Sequence, residues 1–209
     1  ANFKKQAGDY LDTYLNYSLD YDQTNKRYRP DEGFKNSFFQ ELPLYSENYE
    51  LVNTFESTVY NKIYNSVTKI SFYGKIVNSL GNEDVRISKR LYMPSSKLRG
   101  FEPGKIGPVD NNDYVGGNYA SSINFNATLP QFLPSFQNSE ISFFIDTANV
   151  WGVDYDSSIN NNSKIRSSAG FALDLRTPIG PLSFSLSQPI TKAVSDKTES
   201  FRFNLGTTF

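Results

Sequence analysis

The sequence predicts an all-β protein built from antiparallel strands. Apolar and polar residues alternate with period two along most of the chain, which is typical of strands with two different faces. The 209 residues include 17 Phe, 14 Tyr and 1 Trp, so aromatic residues make up 15% of a chain that is only 38% hydrophobic. Charged residues recur on the polar face of these segments, and no segment has a convincing helical period.

Nine segments show this alternation, and the first five cover residues 10–21, 33–44, 48–60, 67–78 and 117–129. Each places apolar side chains on one face: Leu15 and Leu19, then Phe34 and Leu42, Leu51 and Phe55, Ile70 and Phe72, and Ile123 and Phe125. Each places polar side chains on the other: Asp20, Glu41, Glu56, Lys75 and Asn124 respectively. These patterns predict five strands.

The remaining four segments cover residues 139–150, 164–177, 181–188 and 200–209. Their apolar faces hold Ile141 and Ile145, then Phe171 and Leu173, Phe184 and Leu186, and Phe201, Phe203 and Leu205. Their polar faces hold Asp146, Arg166, Ser185 and Arg202. Phe144 breaks the alternation, because it falls among the polar positions of its segment.

Period and composition leave two environments open for the apolar face. A soluble β-sandwich alternates in the same way, whereas aromatic-rich strands of about ten residues suit a membrane barrel that is apolar outside and polar inside. Connection lengths favour the barrel, because short turns near residues 61–66 and 178–180 alternate with long connections at 79–116, 151–163 and 189–199. Residues 22–32 are too long and residues 45–47 too short for this rule. We therefore predict an antiparallel transmembrane β-barrel.

Composition also excludes several kinds of chemistry. The chain has 21 Lys and Arg against 22 Asp and Glu, a net charge of −1, so no basic field attracts nucleic acid. It contains no Cys and no His, which removes thiol nucleophiles, zinc–cysteine sites and imidazole bases. We expect no cofactor, no metal and no enzymatic activity.

Two motifs point to a family. Leu98-Arg99-Gly100-Phe101 lies in the long loop and resembles the (V/L)-R-G-(F/Y) motif of BamA-type outer-membrane assembly factors. Phe209, with Phe201, Phe203 and Leu205, resembles the C-terminal β-signal of bacterial outer-membrane proteins, in which an aromatic residue anchors the last strand at the membrane interface. Further segments resemble the same family in order and spacing: 104–108, 115–118, 142–146, 166–170, 178–182 and 203–206.

The resemblance implies a docked loop. In this family the long loop folds back into the barrel lumen, where its arginine, here Arg99, pairs with acidic residues of the inner wall. Asp146 matches one of these acids, and its strand phase also turns it inward. Asn126 stands where the family usually has Glu, and a neutral acceptor binds a guanidinium more weakly than a carboxylate does. Gly100 is expected to permit a tight bend, and Phe101 to pack the loop tip against the wall.

The odd strand number implies a partial barrel. An antiparallel barrel closes with an even number of strands, and the resembled family has roughly sixteen. Soluble POTRA domains precede the barrel in that family. We therefore expect residues 1–209 to be the C-terminal part of one barrel domain, with the first strands and the POTRA domains absent.

The implied function is insertion and folding of β-barrel proteins in the bacterial outer membrane through a lateral gate. Its gating strand would be the last one, Phe201 to Phe209, weakened by Asn204 and Gly206. The implied partners are outer-membrane lipids and lipopolysaccharide, unfolded outer-membrane proteins and periplasmic assembly lipoproteins. A two-partner secretion pore and a passive porin are the alternatives, whereas a barrel lipid hydrolase would need a base that the chain lacks.

Overall fold

A computed structural model describes residues 8–130, 139–159, 164–177 and 180–205 of the chain. These residues form strands and loops, with one short 3-10 turn at Ile87–Lys89. The strands are β1 Thr13–Asp22, β2 Gly33–Tyr45, β3 Glu50–Ile63, β4 Ser66–Ser79, β5 Val109–Asp110, β6 Asp113–Tyr114, β7 Tyr119–Thr128, β8 Ser139–Trp151, β9 Arg166–Thr177, β10 Gly180–Thr191 and β11 Phe201–Leu205. No helix among these residues is long and apolar enough to cross a membrane.

Nine of the strands form one antiparallel meander in the order β1-β2-β3-β4-β7-β8-β9-β10-β11. The two shortest strands, β5 and β6, form a separate hairpin inside the long loop. The predicted all-β antiparallel fold with nine strands is therefore confirmed. Strand ends differ by a few residues: β1 begins at Thr13 rather than at residue 10, and β10 continues to Thr191 rather than ending at 188.

The apolar face of the sheet is exposed along its whole width. Large apolar side chains that the alternation placed on this face remain open: Leu15, Leu19, Phe34, Phe55, Ile70, Ile123, Ile145, Phe171, Leu186, Phe201 and Phe203. Aromatic rings pair across neighbouring strands, as at Phe143 and Phe171, whose centroids lie 5.6 Å apart. A water-soluble body would have to cover such a continuous surface, whereas a bilayer covers it with acyl chains.

The opposite face holds the core of the molecule. Residues 80–118, which we call the lumenal loop, lie against this face and bury apolar side chains on it. The cluster combines wall and loop residues: Val52, Tyr73, Val77, Ala120, Ala148 and Val150 from strands, and Val85, Leu91, Met93, Leu98, Phe101 and Ile106 from the loop. The interior is therefore partly dry, although the sequence pattern predicted a polar inner face.

The sheet does not close on itself. In the part of the chain that the structure covers, β1 pairs only with β2, and β11 pairs only with β10. The described sheet is thus the wall of a partial barrel with two open edges.

Connections of two kinds alternate along the meander. At one end, which we call the turn end, β3 and β4 are joined by only Tyr64 and Asn65. At the other, which we call the loop end, the lumenal loop joins β4 to β7, and long connections also follow β8 and β10. The predicted exceptions remain, because residues 23–32 form a long connection at the turn end and residues 46–49 a short one at the loop end. A further exception is the connection of ten residues, 129–138, between β7 and β8 at the turn end.

We predict that a new positive charge destabilises the protein on the apolar face but has little effect on the polar face. Phe171 and Asp174 lie on the same strand, but Phe171 is 55% exposed on the apolar face. An arginine on the lipid face near the membrane midplane costs about 2–4 kcal/mol. Phe171→Arg should therefore destabilise the bilayer-reconstituted protein by about that amount in a urea titration, and Asp174→Arg should change it little. Equal effects of the two substitutions would contradict the assignment of the lipid-facing surface.

Candidate functional site

The lumenal loop is fastened at its base before it reaches the interior. The amide of Leu91 donates to the carbonyl of Gly117 at 2.7 Å, and the amide of Gly117 donates back at 2.9 Å. Gly117 has no room for a side chain, because a Cβ there would lie 2.3 Å from the carbonyl oxygen of Trp151. The two limbs of the loop thus pack closely against the top of β8 and project the Leu98–Phe101 segment inward.

Arg99 binds Asp146 of β8 through a two-point guanidinium–carboxylate contact. Its Nε lies 2.7 Å from Oδ2, and its Nη2 lies 2.8 Å from Oδ1. The backbone amide of Arg99 also donates to Oδ2 at 3.0 Å. Nη2 reaches Asn126 Oδ1 at 2.9 Å. The structure therefore brings together the three residues Arg99, Asp146 and Asn126, and parallel N–H donors of this kind make a strong charged contact.

Asn124 on β7 completes the set of donors around Asp146. Its Nδ2 donates to Asp146 Oδ1 at 2.8 Å and to the carbonyl of Lys97 at 2.7 Å. Asp146 is fully buried, so each of these donors replaces a water molecule that its carboxylate would otherwise bind. Sequence reasoning placed Asn124 on the inner face but did not identify it as a site residue.

Phe144 lies directly beneath the arginine. Its ring centroid is 3.5 Å from Arg99 Cζ, and its side chain is fully buried. The neighbouring strand accommodates the ring through Gly170, where a Cβ would lie 2.8 Å from Phe144 Cζ. The residue that broke the alternation is therefore an inward-facing platform that makes a cation–π contact with the docked guanidinium.

Gly100 and Phe101 follow Arg99 at the loop tip, where the resemblance implied a tight bend and a packed aromatic side chain. Gly100 has a φ of +87°, and a Cβ at this position would lie 3.1 Å from the Cβ of Ser168 on β9. Leu98 and Phe101 are both buried in the interior cluster. Phe101 also pairs with Thr198, which ties the tip to the connection before β11.

The proposed gating strand contacts this loop through Arg202. Its Nη1 and Nη2 each lie 2.5 Å from a loop carbonyl, those of Ser95 and Phe101 respectively. Phe201, Phe203 and Leu205 are exposed on the outer face, and Asn204 is exposed as well. Gly206 and Phe209 lie outside the described residues. Arg202 was recognised in the sequence only as a polar-face residue, and its contact with the loop had no local signal.

A second buried acid binds the first limb of the lumenal loop. Glu50 of β3 is fully buried and accepts from the Arg86 amide at 2.6 Å, from its Nε at 3.1 Å and from its Nη2 at 3.0 Å. Arg86 Nη2 also lies 2.9 Å from Asp12 Oδ2 and 3.1 Å from the Tyr14 hydroxyl. These carboxylates raise the pKa of Arg86 against the opposing effect of burial. The loop is thereby attached to β1 and β3 as well as to β8.

A third cluster joins the loop to the connection after β8. Asp154 pairs with Arg90 and accepts from the Val85 amide at 3.0 Å and from Asn118 Nδ2 at 2.9 Å. Burial alone would raise the pKa of Asp154, but these three hydrogen bonds hold it below its ordinary value. Tyr155 stacks on Arg90, and burial together with Asp110 raises the pKa of its hydroxyl to about 12.

In a fourth cluster, a strand supplies the arginine and a connection supplies the acid. Arg166, at the start of β9, donates from Nε and Nη2 to Asp196 at 3.0 Å each. It also donates to Asn149 Oδ1 at 2.7 Å. Here the wall supplies the arginine and the connection before β11 supplies the acid, so that connection is fixed to the interior as well.

We predict that Arg99→Ala releases the loop tip. The substitution leaves the Asp146 carboxylate buried without its main partner, and removal of one member of a buried ion pair costs about 3–5 kcal/mol. Protease cleavage within residues 90–105 should accelerate and the melting temperature should fall. Arg99→Lys, which keeps the charge but not the two-point geometry, should have an intermediate effect. An unchanged cleavage profile in Arg99→Ala would contradict the docking role.

We also predict that the cluster at Asp154 weakens in acid. Its folded-state pKa lies below the ordinary value of 3.8. Its stabilising contribution is therefore fully present above that value and is lost as the pH falls through the folded pKa. Protection of the Val85 amide from hydrogen exchange, corrected for intrinsic rate, should decline below about pH 4 in the wild type. Asp154→Asn should lack this pH-dependent step, and an identical decline in both proteins would exclude Asp154 as its cause.

Comparison with known proteins agrees with this geometry. BamA of Neisseria meningitidis, an outer membrane protein assembly factor, is 28% identical over 141 residues, which cover 54% of this chain and 17% of that protein. BamA of Neorickettsia risticii is 22% identical over 212 residues, covering 99% of this chain and 28% of that protein. The human sorting and assembly machinery component 50 homolog is 28% identical over 170 residues, covering 73% and 34% respectively.

A solved structure and a family model extend the likeness. The crystal structure of Haemophilus ducreyi BamA lacking POTRA domains 1–3 superposes with a TM-score of 0.81 at 28% identity, over 91% of this chain and 41% of that one. The chain thus spans about a third or less of the curated relatives named above. The Omp85 superfamily domain model matches residues 1–209. The chain therefore belongs to the Omp85 superfamily, as a BamA-type partial barrel of the bacterial outer membrane.

Proposed function

We propose that this chain takes part in inserting and folding β-barrel proteins in the outer membrane. The observation that carries the proposal is the contact of Arg99 with Asp146, which holds the family's loop motif inside a barrel wall of the BamA type. Relatives over this region are named outer membrane protein assembly factors. The activity requires no cofactor and no covalent step, so the chain is not an enzyme under this proposal.

The proposed active form is a larger closed barrel. Open strand edges cannot face lipid, because no water is present there to bind their unpaired backbone groups. Further strands of the same protein would pair with β1 and β11, and the small share of each relative that the chain covers is consistent with this. We propose that POTRA domains precede the barrel.

The proposed gate lies at β11. An incoming strand of an unfolded outer-membrane protein would add to its free edge by β-augmentation. Arg202 supports this role, because it joins β11 to the loop tip at the carbonyl of Phe101. A displacement of β11 would therefore pull on the docked loop, which connects the gate to the lumen.

The packed interior favours this function over a passive porin. Leu98, Phe101 and Phe144 fill the concave face with buried apolar side chains, whereas a porin keeps a water-filled channel. The proposed partners are unfolded outer-membrane proteins, periplasmic assembly lipoproteins and the surrounding lipids, including lipopolysaccharide.

We predict that Arg202→Ala slows assembly without unfolding the barrel. The intact protein would be reconstituted in liposomes and supplied with a urea-unfolded eight-stranded barrel, whose folding is followed by its heat-modifiable mobility on gels. The substitution removes two charged hydrogen bonds to loop carbonyls, each worth about 1.5–3 kcal/mol, and the ion pair of Arg202 with Glu199. It should therefore uncouple β11 from the loop and reduce the rate about tenfold or more.

Phe171→Leu is the control for this experiment, because it changes the outer face of β9, which β10 separates from the gating strand, and should leave the rate nearly unchanged. Substrate folding that is no faster with the wild-type protein than in empty liposomes would refute the proposed function. Export of the substrate into the liposome interior, rather than its insertion, would identify the secretion pore instead.

A further inference from the structure

The connection between β1 and β2 crosses the concave face at the turn end. We call residues 23–32 the strap. Arg29 in the strap places its Nε 3.5 Å from Oε2 of Glu140, at the start of β8. Strands β3, β4 and β7 separate β2 from β8 in the sheet. Four strand spacings of about 4.8 Å make an arc of about 19 Å, so the strap must extend across the interior to make this contact.

Glu140, the partner of Arg29 on the wall, is held in place by its own neighbours. Glu140 shares the inward phase of Ser142, Phe144 and Asp146 on β8, all of which are buried. Its Oε1 accepts from Thr128 Oγ1 on β7 at 3.1 Å, which leaves Oε2 directed toward Arg29. A cavity of about 460 Å³ lies at this end, with Arg29, Lys62, Val67 and Glu140 among the residues that line it.

The strap is ordered by its own contacts. Backbone hydrogen bonds join Gln23 to Phe34 at 2.8 Å and Asn25 to Glu32 at 3.1 Å. The Asn25 side chain accepts from the amides of Asp31 and Glu32 at 3.2 Å each. The strap therefore holds a defined shape whether or not Arg29 reaches Glu140.

A charge cluster on the strap adds to this order. Asp31 binds Lys26 at 2.9 Å within the strap and lies 3.7 Å from Lys62 on β3. Lys26 first, and then Asn25, lower the pKa of Asp31 to about 2, so its carboxylate is ionised across the physiological range. This cluster keeps the strap close to β3 while its tip reaches toward β8.

The base of the strap accepts only glycine. Gly33 has a φ of +97°, and a Cβ at this position would lie 2.1 Å from the carbonyl oxygen of Gln23. This residue lets the chain turn sharply from β2 into the interior rather than continue away from the sheet. The strap direction is therefore set at its base by backbone geometry and at its tip by one ion pair.

We propose that the strap is a reversible closure of the lumen at the turn end, fastened by the Arg29–Glu140 pair. The side chains of this pair are 40% and 33% exposed, and such exposed pairs are weak. A weak fastening on a preformed element opens and closes without unfolding the wall. The closure concerns access to the lumen and does not depend on the assembly activity proposed above.

Thiol accessibility tests this closure, because the chain has no cysteine of its own. In the full protein in liposomes, Val67→Cys places one thiol in the cavity beneath the strap, and a neutral, water-soluble maleimide measures its reaction rate from the turn-end side. Arg29→Glu and Glu140→Arg should each increase the rate about two- to fivefold, the range that the loss of an exposed ion pair allows. The double variant Arg29→Glu with Glu140→Arg should return the rate to that of the parent.

Asp20→Arg is the matched control. Asp20 lies on the polar face of β1, and four strands separate β1 from β8, so the variant makes the same change of charge on the inner wall away from Glu140. Its rate should equal that of the parent. A rate that rises equally in Asp20→Arg, or that the double swap fails to restore, would overturn the proposal.

A cross-linking measurement covers the case in which a charge variant fails to fold. With Tyr28→Cys and Leu129→Cys, which lie next to the Arg29–Glu140 contact and leave that pair intact, a flexible bismaleimide should join strap and wall in the folded protein. No joining in protein that retains heat-modifiable mobility would equally overturn the closure. Neither measurement uses substrate folding, so failure here is distinguishable from failure of the proposed function.

Discussion

The buried carboxylate of Asp146 is the constraint on which the arrangement of the interior depends. A carboxylate removed from water costs several kcal/mol unless charges and hydrogen bonds replace its solvent. Among the residues that the structure describes, the wall supplies only Asn124, so the loop must deliver the guanidinium and the amide of Arg99. This requirement fixes the depth of the tip, and with it the bend at Gly100 and the burial of Phe101.

Other acid–arginine pairs hold the connections at the loop end in the same way. Glu50 with Arg86 and Asp154 with Arg90 attach the lumenal loop, while Arg166 with Asp196 attaches the connection before β11. In each case an acid and an arginine distant in sequence meet. The Glu50–Arg86 and Arg166–Asp196 pairs do so in a buried, low-dielectric interior, where a missing partner is costly. Long connections with little secondary structure are usually mobile. Here several buried ion pairs give them defined positions.

Sequence reasoning predicted the strands well because period two reports directly which face is apolar. It placed Asp146 inward for the same reason. It did not foresee Phe144 as a platform, because alternation carries no information about a loop that enters the interior. The pairing of Glu50 with Arg86 was also missed, since 36 residues separate the two and their contact exists only after the loop folds back. Tertiary contacts of this kind leave no local pattern.

The two ends of the sheet differ in how firmly they are closed. Two of the loop's and loop end's ion pairs, Arg99 with Asp146 and Arg166 with Asp196, are largely buried and make two hydrogen bonds between guanidinium and carboxylate. At the turn end, within the described parts of the chain, the strap reaches β8 through one exposed pair. Breaking a buried ion pair costs much more free energy than breaking an exposed one. Opening at the turn end therefore requires less free energy than opening at the loop end. A barrel with this asymmetry would open at the turn end while the ion pairs at its loop end stay formed.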